Sequence, residues 1–94
     1  MTYAAVIIVD NSNEDPELGR TGLRDELLPV LKTLPGFIDA RLMTDYERGR
    51  GAAVVTFHER VQAEALAGNV VVGQPIREGV IALSSEVMEV TAEG

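Results

Sequence analysis

LPGFIDARLMTDYERGRGAAVVTFHERVQAEAL, residues 34–66, writes out a helix end, a strand, a turn, a second strand and a helix start without interruption. Pro35 and Gly36 stop the first helix, because proline cannot extend the hydrogen-bond ladder and glycine takes the left-handed capping conformation freely. Residues 37–45 and 52–58 then pair as an antiparallel hairpin. Residues 46–51 close it, and their two glycines, Gly49 and Gly51, are expected to supply positive φ. From Arg60 to about Asn69 the pattern is helical, with Val61, Ala65 and Leu66 on the inward side.

Working outward, Tyr3–Val9 is apolar on both alternating sets of positions, the mark of a strand buried on two faces and therefore central in its sheet. Residues 10–16 (DNSNEDP) are turn formers. Leu23, Leu27, Val30, Leu31 and Leu34 then recur at helical spacing, with Thr21 as N-cap. Pro29 inside that helix costs on the order of 3 kcal/mol unless the helix adjusts, so a bend is expected there. Residues 70–83 (VVVGQPIREGVIAL) read equally as a helix continuation or an extended excursion, and residues 86–91 alternate as a last strand. The order is β-α-β-β-α-β. It predicts one α+β domain over 1–94, ferredoxin-like, with a four-stranded antiparallel sheet.

A sheet covered by helices on one side only would leave a large apolar face in water, which makes a homodimer the expected state. The net charge of −7, with 15 acidic and 8 basic side chains, opposes nucleic acid and anionic membrane surfaces as partners. There is no cysteine, which excludes disulfides, thiolate metal sites and cysteine nucleophiles. The apolar run Ala4–Val9 lacks the flanks of a signal peptide, so a soluble cytoplasmic protein is expected.

Pro35-Gly36-Phe37, the hairpin with its polar turn, and Phe57-His58-Glu59-Arg60 together resemble the dimeric α+β-barrel superfamily, above all the antibiotic biosynthesis monooxygenase-like proteins. In that family a Pro-Gly-Phe closes the first helix and an aromatic-Glu-Ser/Arg segment opens the second. The resemblance implies two sheets packed face to face as a barrel, with a pocket in each subunit between sheet and helices. It also implies that His58, at the place of a family tryptophan, borders that pocket while Phe57 points into the barrel. The haem-degrading branch has an Asn on the first strand, a Trp at the end of the third and a His on the second helix. This chain has none of the three, and no cofactor or metal is expected.

Two classes of function follow. One is a cofactor-independent, monooxygenase-like enzyme acting on a hydrophobic small molecule. His58, the sole histidine, is then the candidate catalytic residue, and Arg41 and Thr56 are the candidate substrate-binding residues. The other is a non-enzymatic dimer that binds a small ligand or regulates. A lone imidazole at a strand end is more often a hydrogen-bonded structural residue than a base, and a strand arginine more often pairs with an acid such as Asp39 or Glu89. Asn11 and Asn13 have turn and capping duties available in their loop. His58, Arg41 and a tyrosine converging on one open volume favour the enzyme; a pocket filled by leucine and valine favours the binding module.

Overall fold

The computed structural model describes all 94 residues. β1 (Thr2–Asp10) leads into a helical segment in three consecutive parts: α1 (Pro16–Gly22), a π-helical turn (Leu23–Leu27) and α2 (Leu28–Leu31). β2 (Phe37–Asp45) and β3 (Arg50–Phe57) form a hairpin, α3 (Arg60–Gly68) follows, and β4 (Pro75–Arg77) and β5 (Val80–Val90) complete the order. The strands make one antiparallel sheet, β2-β3-β1-β5-β4, with β1 between β3 and β5 as its two-sided apolar pattern requires.

The sheet has five strands where the sequence pattern predicts four. The additional strand, β4, lies in the stretch that was open between helix and extended chain. Gly79, at φ 80°, lets the chain reverse over Glu78-Gly79, so that Arg77 pairs with Val80 and Pro75 with Ile81. β5 starts at Val80, well before Glu86. A register shift opposite Ile8/Val9 accommodates one extra residue in β5 and breaks the alternation that would have revealed the strand's full length.

Register sets the two faces of the sheet. Ala5 lies opposite Val55 and Val87, and Tyr3 opposite Phe57. These side chains face the helices and form the core with Leu31 and Ala63, flanked by Leu27, Leu34, Leu42 and Leu66. The opposite face carries Val6, Ile8, Val54, Met43 and Met88, with no element of the chain over it. Met43 and Met88 remain 47% and 48% exposed, against 1% for Phe57 across the sheet.

Local chemistry shifts several helix boundaries. The first helix is capped by Asp15, whose carboxylate accepts the N–H groups of Glu17 at 3.0 Å and Leu18 at 3.1 Å; Thr21 lies inside α1 and caps nothing. Pro29 is accommodated by the π-helical turn before it, in which the Leu28 N–H reaches back to the Leu23 carbonyl. The wider turn rotates Val30 outward to 58% exposure. Glu59 and Gln62 form a capping box that fixes the phase of α3, so Ala63, Leu66 and Ala67 face the sheet. Val61 and Ala65, expected inside, are exposed.

Gly36 has φ 76° and Gly49 φ 71°, as the helix stop and hairpin turn demand. Gly51, by contrast, lies within β3 without a positive φ. Its lack of a side chain serves packing, since a Cβ there would come within 2.9 Å of a Val9 methyl. No helix is long and apolar enough to cross a membrane.

Candidate functional site

An open cavity of about 350 Å³ lies between the helix-covered face of the sheet and the first helical segment. Ile7 and Val9 of β1, Ala53 and Val55 of β3, and Leu42 of β2 form its floor; Leu23, Leu27 and Leu31 form its roof. It exists because the residues beneath the helix at this end are small. Ala53 and Gly51 stand where larger side chains would reach the roof, and the π-helical turn supplies Leu23, Glu26 and Leu27 to the wall. Such turns are frequent at functional sites.

The polar wall is built from segments distant in sequence. Glu14, in the loop after β1, has a side chain only 9% exposed and lies between two partners. The Arg77 guanidinium pairs with its Oε2 at 2.6 Å, and the Tyr46 hydroxyl donates to its Oε1 at 2.9 Å. Arg20 of α1 stacks over the Tyr46 ring, 5.0 Å from its centre. Gly19 is buried beneath this cluster. A Cβ there would run into the Tyr46 hydroxyl and the Glu14 carboxylate, so glycine is what lets them meet.

Asn11 is the other buried polar residue of this wall, at 2% exposure. Its Nδ2 donates to the Arg50 carbonyl at 3.1 Å and its backbone N–H to the Gly49 carbonyl at 3.1 Å, which ties the loop to the hairpin turn. Its Oδ1 is buried and has no donor. A buried acceptor left unpaired costs about 1–3 kcal/mol, so this oxygen departs from the turn duty that the sequence assigned to Asn11.

The residues predicted from sequence lie elsewhere. His58 is exposed just past the end of β3 and is not part of the cavity wall; its backbone N–H donates to the Gly36 carbonyl at 3.0 Å. The orientation implied by the resemblance is reversed here, since Phe57, 1% exposed, faces the helices. The cause is register: odd-numbered β3 residues share the face of Tyr3 and Ala5, where burying a phenyl ring gains most. Arg41 and Thr56 do share a face, through the neighbouring pairs Arg41–Val54 and Asp39–Thr56, but it is the one turned away from the helices. Arg41 is exposed and forms no ion pair within the chain, with Asp39 and Glu89 included; Thr56 is 9% exposed. No group of three histidine or carboxylate side chains is arranged to hold a metal ion.

Sequence reasoning missed Asn11, Glu14, Tyr46 and Arg77 as a set, because three separate segments bring them together. The one local sign was the density of glycines at 19, 22, 49 and 51, where side chains or strands approach closely.

Burial first, and then the hydrogen bond to Glu14 and its charge, hold the Tyr46 phenol protonated above its ordinary value of 10.0. A folded-state pKa raised above the unfolded one means that this group's contribution to stability is complete below pH 10.0 and is lost as pH rises through the raised value. Ultraviolet titration of wild type against Tyr46→Phe is expected to show that the variant has lost a phenol ionisation lying above pH 10.0. It is also expected to flatten the alkaline loss of stability; a Tyr46 that ionises with free tyrosine would show the contact with Glu14 to be absent in solution. No protein-family model and no curated protein matches the chain.

Proposed function

We propose that this chain is a small-ligand-binding dimer of the α+β-barrel type, whose cavity takes up a small, largely apolar molecule. The observation that carries the reading is the cavity itself: about 350 Å³ walled by leucine, isoleucine, valine and alanine, with a few polar groups at one side. Ligand pockets of this kind span about 300–1,000 Å³ and combine an apolar lining with a few placed polar groups. The sheet order β2-β3-β1-β5, once the short β4 is set aside, supports the ferredoxin-like assignment. Binding is preferred to the monooxygenase-like reading because His58 and Arg41 stand outside the cavity, and Tyr46, the tyrosine beside it, keeps its proton at neutral pH.

Filling the cavity tests this directly. Ala53→Phe places a ring in the space from the sheet side, and is expected to weaken binding of a neutral fluorescent dye such as Nile red at least about tenfold, roughly 1.4 kcal/mol. The variant's far-ultraviolet circular dichroism should stay native. Dye binding unchanged by Ala53→Phe would place the ligand elsewhere.

The partner we propose is a second copy of this chain, laid against the apolar face of Val6, Ile8, Val54, Met43 and Met88. A stable interface of this type buries more than about 1,000 Å² in total. Sedimentation equilibrium is expected to give a dimer at micromolar concentration, and Val54→Glu a monomer; a wild-type monomer at that concentration would rule the assembly out.

A further inference from the structure

Resting on the reading that a second copy covers the open face of the sheet, we infer that Arg41 and Glu86 pair reciprocally across that interface and so fix the orientation in which the two copies meet. The pattern behind this is a single row. Arg41 of β2 lies opposite Val54 of β3, Val54 opposite Val6 of β1, and Val6 opposite Glu86 of β5. Four neighbouring strands thus carry in line, on the face turned away from the helices, a cation, two valines and an anion. Both charged side chains are exposed, and neither has an ion-pair partner within the chain. Three strand spacings of about 4.8 Å hold their backbones roughly 14 Å apart, with the valines between them.

Turned over, this row complements itself. A two-fold axis that lies between the two sheets and runs along the strands, midway between Val6 and Val54, lays the row on the partner's row in reverse order. Valine meets valine at the centre, Arg41 meets the partner's Glu86 at one rim, and Glu86 meets the partner's Arg41 at the other. The twist of packed sheets turns the two sets of strands by about 30°, which displaces residues roughly 7 Å from the centre by only about 4 Å, within reach of an arginine side chain. The other face-to-face two-fold runs along the row and sets Arg41 on the partner's Arg41 and Glu86 on the partner's Glu86. Like charges at both rims oppose it. The remaining strand charges of this face stand at its margins. Asp39, two residues from Arg41 on β2, does not pair with it; Asp45 is held by Arg48; and Asp10 and Arg50, opposite each other at the hairpin end, are laid on the partner's Arg50 and the partner's Asp10, again with opposite signs.

Charge reversal in the whole chain, read by sedimentation equilibrium, tests this. Arg41→Glu and Glu86→Arg alter exposed side chains on a sheet whose core lies on its other face. Each variant alone places like charges at both rims and is expected to weaken dimerisation at least about tenfold. Glu86→Arg is the sharper of the two, because it reduces the chain's net negative charge and would tighten a dimer limited by general repulsion. Mixed in equal amounts, the two variants present opposite charges at both rims, so a heterodimer is expected at a concentration where each alone is a monomer. The double variant, with the charges exchanged, is expected to dimerise within about threefold of wild type. A wild-type dimer whose affinity neither reversal changes overturns the inference and leaves the dimer standing. A mixture or a double variant that stays monomeric does the same. A wild-type monomer removes both readings.

Discussion

Phe57→Ala is expected to destabilise the protein by about 3–5 kcal/mol, the cost typical of emptying a fully buried phenylalanine site. Phe57 is 1% exposed and belongs to the core with Ala5, Leu31, Val55 and Ala63. Two of those four are alanines, which offer little side chain to collapse into the void, so the upper half of the range applies. Only 14 of the 94 residues are buried, and a small domain has about 5–15 kcal/mol in total; the variant thus stands near the limit of folding. Urea denaturation with an unchanged m-value reads the loss. A cost below about 1 kcal/mol would mean that the ring faces the open side of the sheet, as the family resemblance implied.

Gly36→Val is expected to cost about 2–3 kcal/mol through two effects that meet at one position. At φ 76° any side chain is strained, by about 1–2 kcal/mol for one residue. A Cβ there would also collide with the Gln62 side-chain amide, whose Oε1 accepts the Glu59 N–H at 3.0 Å and so caps α3. Losing a cap costs about 1 kcal/mol. The two effects separate in a double-mutant cycle. Gln62→Ala should cost about 1 kcal/mol alone, and Gly36→Val should cost less in its presence, because the cap is already gone. Strict additivity would show that the helix stop and the cap of the next helix are independent.

What could be read from the sequence was what neighbours in sequence decide. The Pro35-Gly36 stop, the hairpin of β2 and β3, the central β1 and a helix after Phe57 each depend on residues a few places apart. Where a residue's neighbour in space is far along the chain, the reading failed. The phase of α3 was set by a capping box that outweighed the apolarity of Val61, and the full length of β5 was hidden by its extra residue opposite Ile8/Val9. The polar side of the cavity is the extreme case: Asn11 and Glu14 from the loop after β1 and Arg77 from β4 line it, and Tyr46 from the hairpin turn stands behind them on Glu14. Chemical rarity drew the eye to His58 as the only histidine. It has no bearing on which side chain a sheet's register turns towards a void.

The π-helical turn before Pro29 also bears on how the chain length can change over generations. A turn that closes on the fifth residue holds one residue more than an α-helix between the same two ends requires, as the Leu28 to Leu23 bond shows. Losing a residue from an ordinary helix swings everything beyond it by about 100° and turns buried positions to solvent. Lost from residues 24–26, a residue would instead convert the wide turn into a regular one and leave Leu31 and Leu34 over the sheet. That regular turn would meet Pro29, whose ring clashes with the carbonyl four residues back. Descendants of this chain that shorten here should therefore show two changes together, the missing residue and a replacement of the proline.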